Sequence, residues 1–183
     1  MSSAEHSGFV RTAGRRHGFD HDTIKELIDG KVAWPTLHEM LSTFKDPDRF
    51  DQVVSILQSR MPYSDQILLP YAFHLNVVQT QDGRRIIKSD CGCEFGDYRE
   101  NWKEQALVYV RNTPETIKEI YPHLMGADPA WQEYREYYCP NCGTQLEVET
   151  VPAWYPPVHS FIPDLETFYQ EWLGRSLPTR PTD

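Results

Sequence analysis

Apolar residues in the first third of the chain recur at helical intervals. From Asp22, the stretch Thr23-Ile24-Lys25-Glu26-Leu27-Ile28-Asp29 reads as a short helix closed by Gly30, because glycine accepts the left-handed conformation that ends a helix. Trp34 to Leu41 reads as a second helix, with Pro35 in its first turn. A third is expected after Asp46, taken as the N-cap, with Pro47 at the first position. Its residues Phe50, Val53, Val54, Leu57 and Met61 share one face. Beyond Pro62 the pattern changes to strands. Gln66 to Leu69 and Phe73 to Gln79 are rich in β-formers, Gln81-Asp82-Gly83 is a hairpin turn, and Arg84 to Lys88 returns the chain. Ala106 to Arg111 is a further strand, and Thr113-Pro114-Glu115 opens a helix running to about Tyr121. Gln132 to Tyr138 places Tyr134, Glu136 and Tyr138 on one face, and Gln145 to Val151 alternates through Leu146 and Val148. The tail begins with the extended stretch Pro152-Ala153-Trp154-Tyr155-Pro156-Pro157. Asp164 then caps an amphipathic helix carrying Leu165, Phe168, Tyr169 and Trp172, closed by Gly174.

With Cys91, Cys93, Cys139 and Cys142 in turns between the strands, these elements predict an α+β chain: a zinc-ribbon-like antiparallel β-sheet with N-terminal helices and an extended C-terminal arm ending in a helix. The expected organisation is a flexible arm over 1–21, a helical region over 22–62, a four-cysteine β domain with an inserted helix over 63–151, and an aromatic, proline-rich arm over 152–183.

The chain's 4 cysteines fall in two tight pairs, Cys91-Gly92-Cys93 and Cys139-Pro140-Asn141-Cys142-Gly143. Each pair sits on a turn between strand-like segments, so each short loop can aim two sulfurs at one point, which is what a tetrahedral metal needs. Pro140 fixes the entry to the second loop, and Gly143 lets the backbone turn its N–H groups toward the sulfurs. A structural zinc on Cys91, Cys93, Cys139 and Cys142 is the expectation, closed to water because four thiolates leave no open position. A rubredoxin-like iron site uses the same ligands. Disulfides would have to cross-link the two loops. The first residues, Met-Ser-Ser-Ala-Glu-His-Ser-Gly, lack the apolar core of a signal peptide, so a cytoplasmic location is expected instead.

Composition narrows the function. The 183 residues carry 18 Lys plus Arg against 27 Asp plus Glu, a net charge of −9. No run has the apolar length of a membrane span. Between Trp131 and Thr150 the ribbon has one basic residue, Arg135, against Glu133, Glu136, Glu147 and Glu149. Such a hairpin repels phosphate, so no nucleic-acid partner is expected, although Tyr134, Tyr137 and Tyr138 offer stacking faces. The chain has no phosphate-cradling glycine loop, Gly-x-Ser-x-Gly elbow or His-Glu-x-x-His. His38 has no second ligand at metal spacing, and Asp128, His123 and His159 read as surface or capping groups. No catalytic or cofactor-binding residue is assigned. The 5 Trp, 10 Tyr and 8 Phe suit either a filled core or flat contact surfaces, and for the aromatic tail both readings stay open.

Longer motifs carry a resemblance. Thr36-Leu37-His38-Glu39-Met40-Leu41-Ser42, Lys45-Asp46-Pro47-Asp48-Arg49-Phe50, Tyr134 to Thr144 through the second cysteine pair, and Phe168-Tyr169-Gln170-Glu171-Trp172-Leu173-Gly174 resemble the small, gamma subunits of acetone carboxylase. The resemblance keeps the same order from about Ile24 to Pro178 and takes in Cys91-Gly92-Cys93 and the tail at Trp154, Tyr155 and Pro156. It implies a zinc-carrying subunit of a hetero-oligomeric, ATP-dependent ligase that makes acetoacetate from acetone and bicarbonate, with formation of AMP and phosphate. It also implies two larger partners, of alpha and beta type, that hold ATP and Mn2+. The alternative is a zinc-ribbon module for protein interaction or nucleic-acid binding outside any carboxylase.

Overall fold

The computed structural model describes residues 18–122 and 125–178. The expected flexible arm therefore falls outside the described residues except for its last four positions, and so does His123. The chain divides into two compact units, Met1–Ile56 and Leu57–Asp183.

In the first unit, α1 spans His21–Ile28, α2 spans Trp34–Ser42, and α3 begins at Arg49 and runs to Arg60, past the unit's limit. The Asp20 side chain accepts a hydrogen bond from the N–H of Thr23 and so caps α1. Gly30 closes that helix at φ +68°. Ile24, Met40 and Ile56 form the buried centre, and Phe19, Leu27, Ile28 and Val53 pack around it. Two expectations need correction. Helix α3 starts at Arg49 rather than at Pro47, because Asp46 is engaged by the Arg49 guanidinium at 2.9 and 2.8 Å instead of capping the backbone. The most buried residue of α3 is Ile56, which lies outside the face read from Phe50, Val53, Val54, Leu57 and Met61.

The second unit contains two antiparallel sheets where one was expected. The first has the order β1 (Gln66–Ala72), β2 (Leu75–Gln79), β3 (Arg85–Ser89) and β4 (Glu94–Asp97). The second has the order β5 (Leu107–Arg111), β6 (Glu133–Tyr138) and β7 (Gln145–Val151). The residues between the two cysteine pairs supply β4 and β5, so each pair is carried by its own sheet. Phe73, expected within a strand, instead starts the β1–β2 turn, with His74 at φ 61°. Helix α4 (Pro114–Lys118) is shorter than predicted but carries the expected Thr113 cap. The C-terminal element is one turn of helix, α5 (Leu165–Thr167), that widens into a π-type turn over Phe168–Trp172.

Burial explains why the two sheets hold together. Trp102, fully buried in a 3-10 turn before β5, meets Phe95 of β4 and Tyr137 of β6 edge-on, each with centroids 5.9 Å apart. Such aromatic pairs contribute about 0.5–1.5 kcal/mol each beyond their buried area. Next to Trp102, Lys103 bridges Glu147 at 2.6 Å and Glu149 at 2.8 Å. The Tyr137 hydroxyl donates to Glu149 at 2.6 Å. The tail closes over the first sheet: the Tyr169 hydroxyl donates to the Leu68 carbonyl, Phe161 stacks on Tyr71 at 4.7 Å, and Arg85 pairs with Glu166 at 2.6 Å. Among the described residues no helix is long and apolar enough to cross a membrane.

Candidate metal centre

Local backbone chemistry builds each cysteine loop. In the β3–β4 hairpin, the N–H of Gly92 bonds the Ser89 carbonyl at 2.9 Å and the N–H of Ser89 bonds the Cys93 carbonyl at 2.9 Å. Gly92 stands at φ +91°, so this is a tight turn followed by a bulge, and glycine accepts that conformation without strain. The turn leaves Cys91 at its tip and Cys93 just beyond the bulge, which accounts for the one-residue spacer. In the β6–β7 hairpin the N–H of Gly143 closes on the Cys139 carbonyl at 2.9 Å, and the N–H of Cys139 bonds the Thr144 carbonyl at 2.9 Å. Gly143 at φ +72° completes that loop.

The two loops meet. The Sγ atoms of Cys91, Cys139 and Cys142 lie within 4.8 Å of one another, and those of Cys91 and Cys139 are 3.6 Å apart. A zinc ion with Zn–S bonds of about 2.3 Å sets its sulfurs about 3.8 Å apart, so this spacing fits a tetrahedral ion. It is far too long for a disulfide, and all four thiols are free. Cys139 is buried, Cys91 and Cys93 are half-buried, and Cys142 is exposed. Cys93 stands outside the tight trio, its Sγ 4.0 Å from the Glu94 carbonyl oxygen.

Neighbouring groups prepare the thiols unequally. Burial works against ionising Cys91, but hydrogen bonds from Ser89, from the Asn141 amide and from the Cys93 N–H outweigh it and bring the thiol down to about 6. Ser89 Oγ is 3.2 Å and Asn141 Nδ2 3.4 Å from that sulfur. Cys93 is pushed up to about 11, by burial first and then by the charges of Cys139 and Cys91. Thr144 Oγ1 lies 3.1 Å from Cys142 Sγ. Ser89, Asn141 and Thr144 were not singled out from the sequence. Their signal was position alone, each within two residues of a cysteine. His38 lies on the exposed side of α2 with its ring near Trp34, Asp128 caps the N–H of Ala130, and His159 bonds the Tyr71 hydroxyl at 3.0 Å. None of the three joins the thiol cluster.

The fold and this cluster define a small α+β protein in which two cysteine-bearing hairpins meet. Comparison with known proteins names the group. The model of the acetone carboxylase gamma subunit matches residues 61–173. The acetone carboxylase gamma subunit of Xanthobacter autotrophicus is 49% identical over 163 residues, which are 88% of this chain and 97% of that protein. The acetophenone carboxylase beta subunit of Aromatoleum aromaticum is 32% identical over 69 residues, 37% of this chain and 54% of that one. The chain belongs to the acetone carboxylase gamma subunit family.

Proposed function

We propose that this chain is the zinc-clasped accessory subunit of a hetero-oligomeric, ATP-dependent ketone carboxylase, converting acetone and bicarbonate to acetoacetate with formation of AMP and phosphate. The observation that carries this reading is the 49% identity to a gamma subunit across nearly the full length of both chains. In this reading the two larger subunits, of alpha and beta type, hold ATP and Mn2+ and perform the chemistry in the cytoplasm. This chain supplies a rigid frame.

Cys91, Cys93, Cys139 and Cys142 are the proposed ligands, with Cys93 joining the other three by rotation of its side chain. The 3.6 Å sulfur spacing supports the fit, and the hydrogen bonds to Cys91 favour the thiolate that metal binding requires. The ion would tie the β3–β4 hairpin to the β6–β7 hairpin. A nucleic-acid role draws no support from the charges: Arg135 is held by Glu133 at 2.7 Å and Arg111 by Glu136 at 2.6 Å, so neither guanidinium is free for phosphate.

Native mass spectrometry with metal analysis tests the proposal. The expected result is an assembly of this chain with two larger subunits, one zinc per copy, and ATP-dependent ketone carboxylation. Cys142→Ser should lose the metal first and the assembly with it. A free monomer from cells that make all three chains would refute the accessory role. A Cys142→Ser chain with its full zinc content would refute the ligand set.

A further inference from the structure

An uncovered sheet edge presents unpaired N–H and C=O groups to any extended chain, and folded proteins close such edges with proline, bulges, charge or a covering segment. Three of the four edges among the described residues are closed in this way. Strand β1 contains Pro70 and two irregularities of register. Its backbone is also occupied from the side: the N–H of Ile67 donates to Gln58 Oε1, and the Leu68 carbonyl accepts from Tyr169. Strand β4 is only four residues long, bulged, and charged at both ends by Glu94 and Asp97. Strand β7 is bulged at Leu146, which falls between the Tyr137↔Glu147 and Tyr138↔Gln145 pairs, and the tail reaches it where the Ser160 hydroxyl donates to Glu147 at 3.4 Å.

Strand β5 has none of these devices. Leu107-Val108-Tyr109-Val110-Arg111 pairs with β6 along one edge, in unbroken register from Leu107↔Tyr138 to Arg111↔Tyr134. Leu107, Val108 and Tyr109 are 57%, 51% and 41% exposed, so apolar side chains stand open on both faces. Arg111, the one charge on the strand, is consumed by Glu136 and Glu119.

We infer that β5 is the docking edge for an extended segment of a larger carboxylase subunit, which adds to the second sheet as a further strand. The inference rests on the accessory-subunit reading above. Strand addition suits the edge because main-chain hydrogen bonds provide the affinity and alternate side chains the specificity. The charges flanking the edge specify its partner. Glu104 precedes β5 and Glu115 follows it, both exposed. A segment that is apolar at alternate positions, with Lys or Arg on either side, matches that pattern. A second copy of this chain does not, since β5 against β5 sets Glu104 near Glu115 in the antiparallel arrangement, or like against like in the parallel one.

Hydrogen exchange on the full-length chain, free and assembled with the two larger subunits, tests the inference. Alternate amides of β5 should exchange freely in the free chain and slow by about a hundredfold on assembly. Val108→Lys adds a charge that closes the edge. It should weaken assembly by at least about tenfold while the circular dichroism and zinc content stay those of the wild type. Val108→Ile should assemble normally. The inference is overturned if β5 amides exchange equally fast in the complex, or if Val108→Lys assembles like the wild type. Protection accompanied by doubling of the mass of the chain alone overturns it in favour of a second copy. If the wild-type chain joins the larger subunits with β5 unprotected, only this inference falls. If it does not join them at all, the accessory-subunit reading falls too.

Discussion

Lys103→Met tests whether buried charge or aromatic packing dominates the join between the two sheets. The Lys103 side chain is 2% exposed and lies between Glu147 and Glu149, with Nζ 5.1 Å from the centre of the Tyr137 ring. Methionine keeps most of the volume and removes the charge, leaving the Glu149 carboxylate, 14% exposed, without its lysine. Removing one partner of a buried pair costs about 3–5 kcal/mol. Two features favour the lower end: Arg135 remains 3.6 Å from Glu149, and Glu147 is 28% exposed. The expected loss is therefore about 3 kcal/mol at pH 7, read by urea unfolding with tryptophan fluorescence.

The pH dependence supplies the sharper check. Burial alone would raise the Glu149 carboxyl, but hydrogen bonds from Lys103 and Tyr137 outweigh it and hold the group below its ordinary range. A carboxyl depressed in the folded state contributes stability above its unfolded value and loses it as pH falls through the folded one. Without Lys103, burial prevails and the carboxyl rises, so protonation relieves the variant as the medium is acidified. The gap between variant and wild type should narrow by about 1 kcal/mol between pH 7 and pH 5.5. Adding Glu149→Gln should recover at least about 1.5 kcal/mol of the loss. A gap below about 1 kcal/mol, or one that does not change with pH, would refute the reasoning and assign the join to Trp102 and its neighbours.

Other perturbations separate local from global effects. Gly143→Ala meets no atom within 4 Å but forces a side chain onto φ +72°. It should cost about 1–2 kcal/mol and, if zinc binds as proposed, weaken its retention against a chelator. Tyr169→Phe leaves the Leu68 carbonyl without its hydroxyl donor. We expect a loss of about 1 kcal/mol and faster amide exchange confined to β1 and the tail. Glu136 is held below its ordinary range by Arg111 first, with Tyr138 adding to the effect. The stability it contributes is present above the ordinary glutamate range and lost as pH falls through its folded value, so Glu136→Gln should flatten that part of the acid unfolding curve.

The meeting of Cys91, Cys139 and Cys142 was legible in the chain because turn chemistry is local. Cys139-Pro140-Asn141-Cys142-Gly143 contains its own turn, and Gly92 at φ +91° makes the turn that carries Cys91 into the trio while Cys93 stands outside it. The Gln81-Asp82-Gly83 turn and the Thr113 cap were equally local. What escaped was non-local or weakly marked. Strand β4, Glu94-Phe95-Gly96-Asp97, has one large apolar residue, so alternation cannot announce it. The division into two sheets depends on β5 choosing β6, a pairing fixed by tertiary contact. Lys103 reads as a surface residue until Glu147 and Glu149, more than forty positions later, are seen to enclose it. Ile56 packs where α3 meets Ile24 and Met40, a choice among faces that the helix's own periodicity does not make.

Each thiol pair rides on a hairpin formed by sequence neighbours, yet the pairs stand apart, Cys91 and Cys139 being separated by 48 positions. That separation has a kinetic consequence. Hairpins close in about 1–10 μs, so both half-sites can exist before the sheets meet. Bringing the ends of the intervening loop together costs about 3 kcal/mol of chain entropy, which neither half-site offsets alone. With zinc as the proposed clasp, refolding should show a fast phase indifferent to metal and a slower one whose rate rises with zinc concentration. Order of assembly, as well as final stability, would then be under the control of the ion.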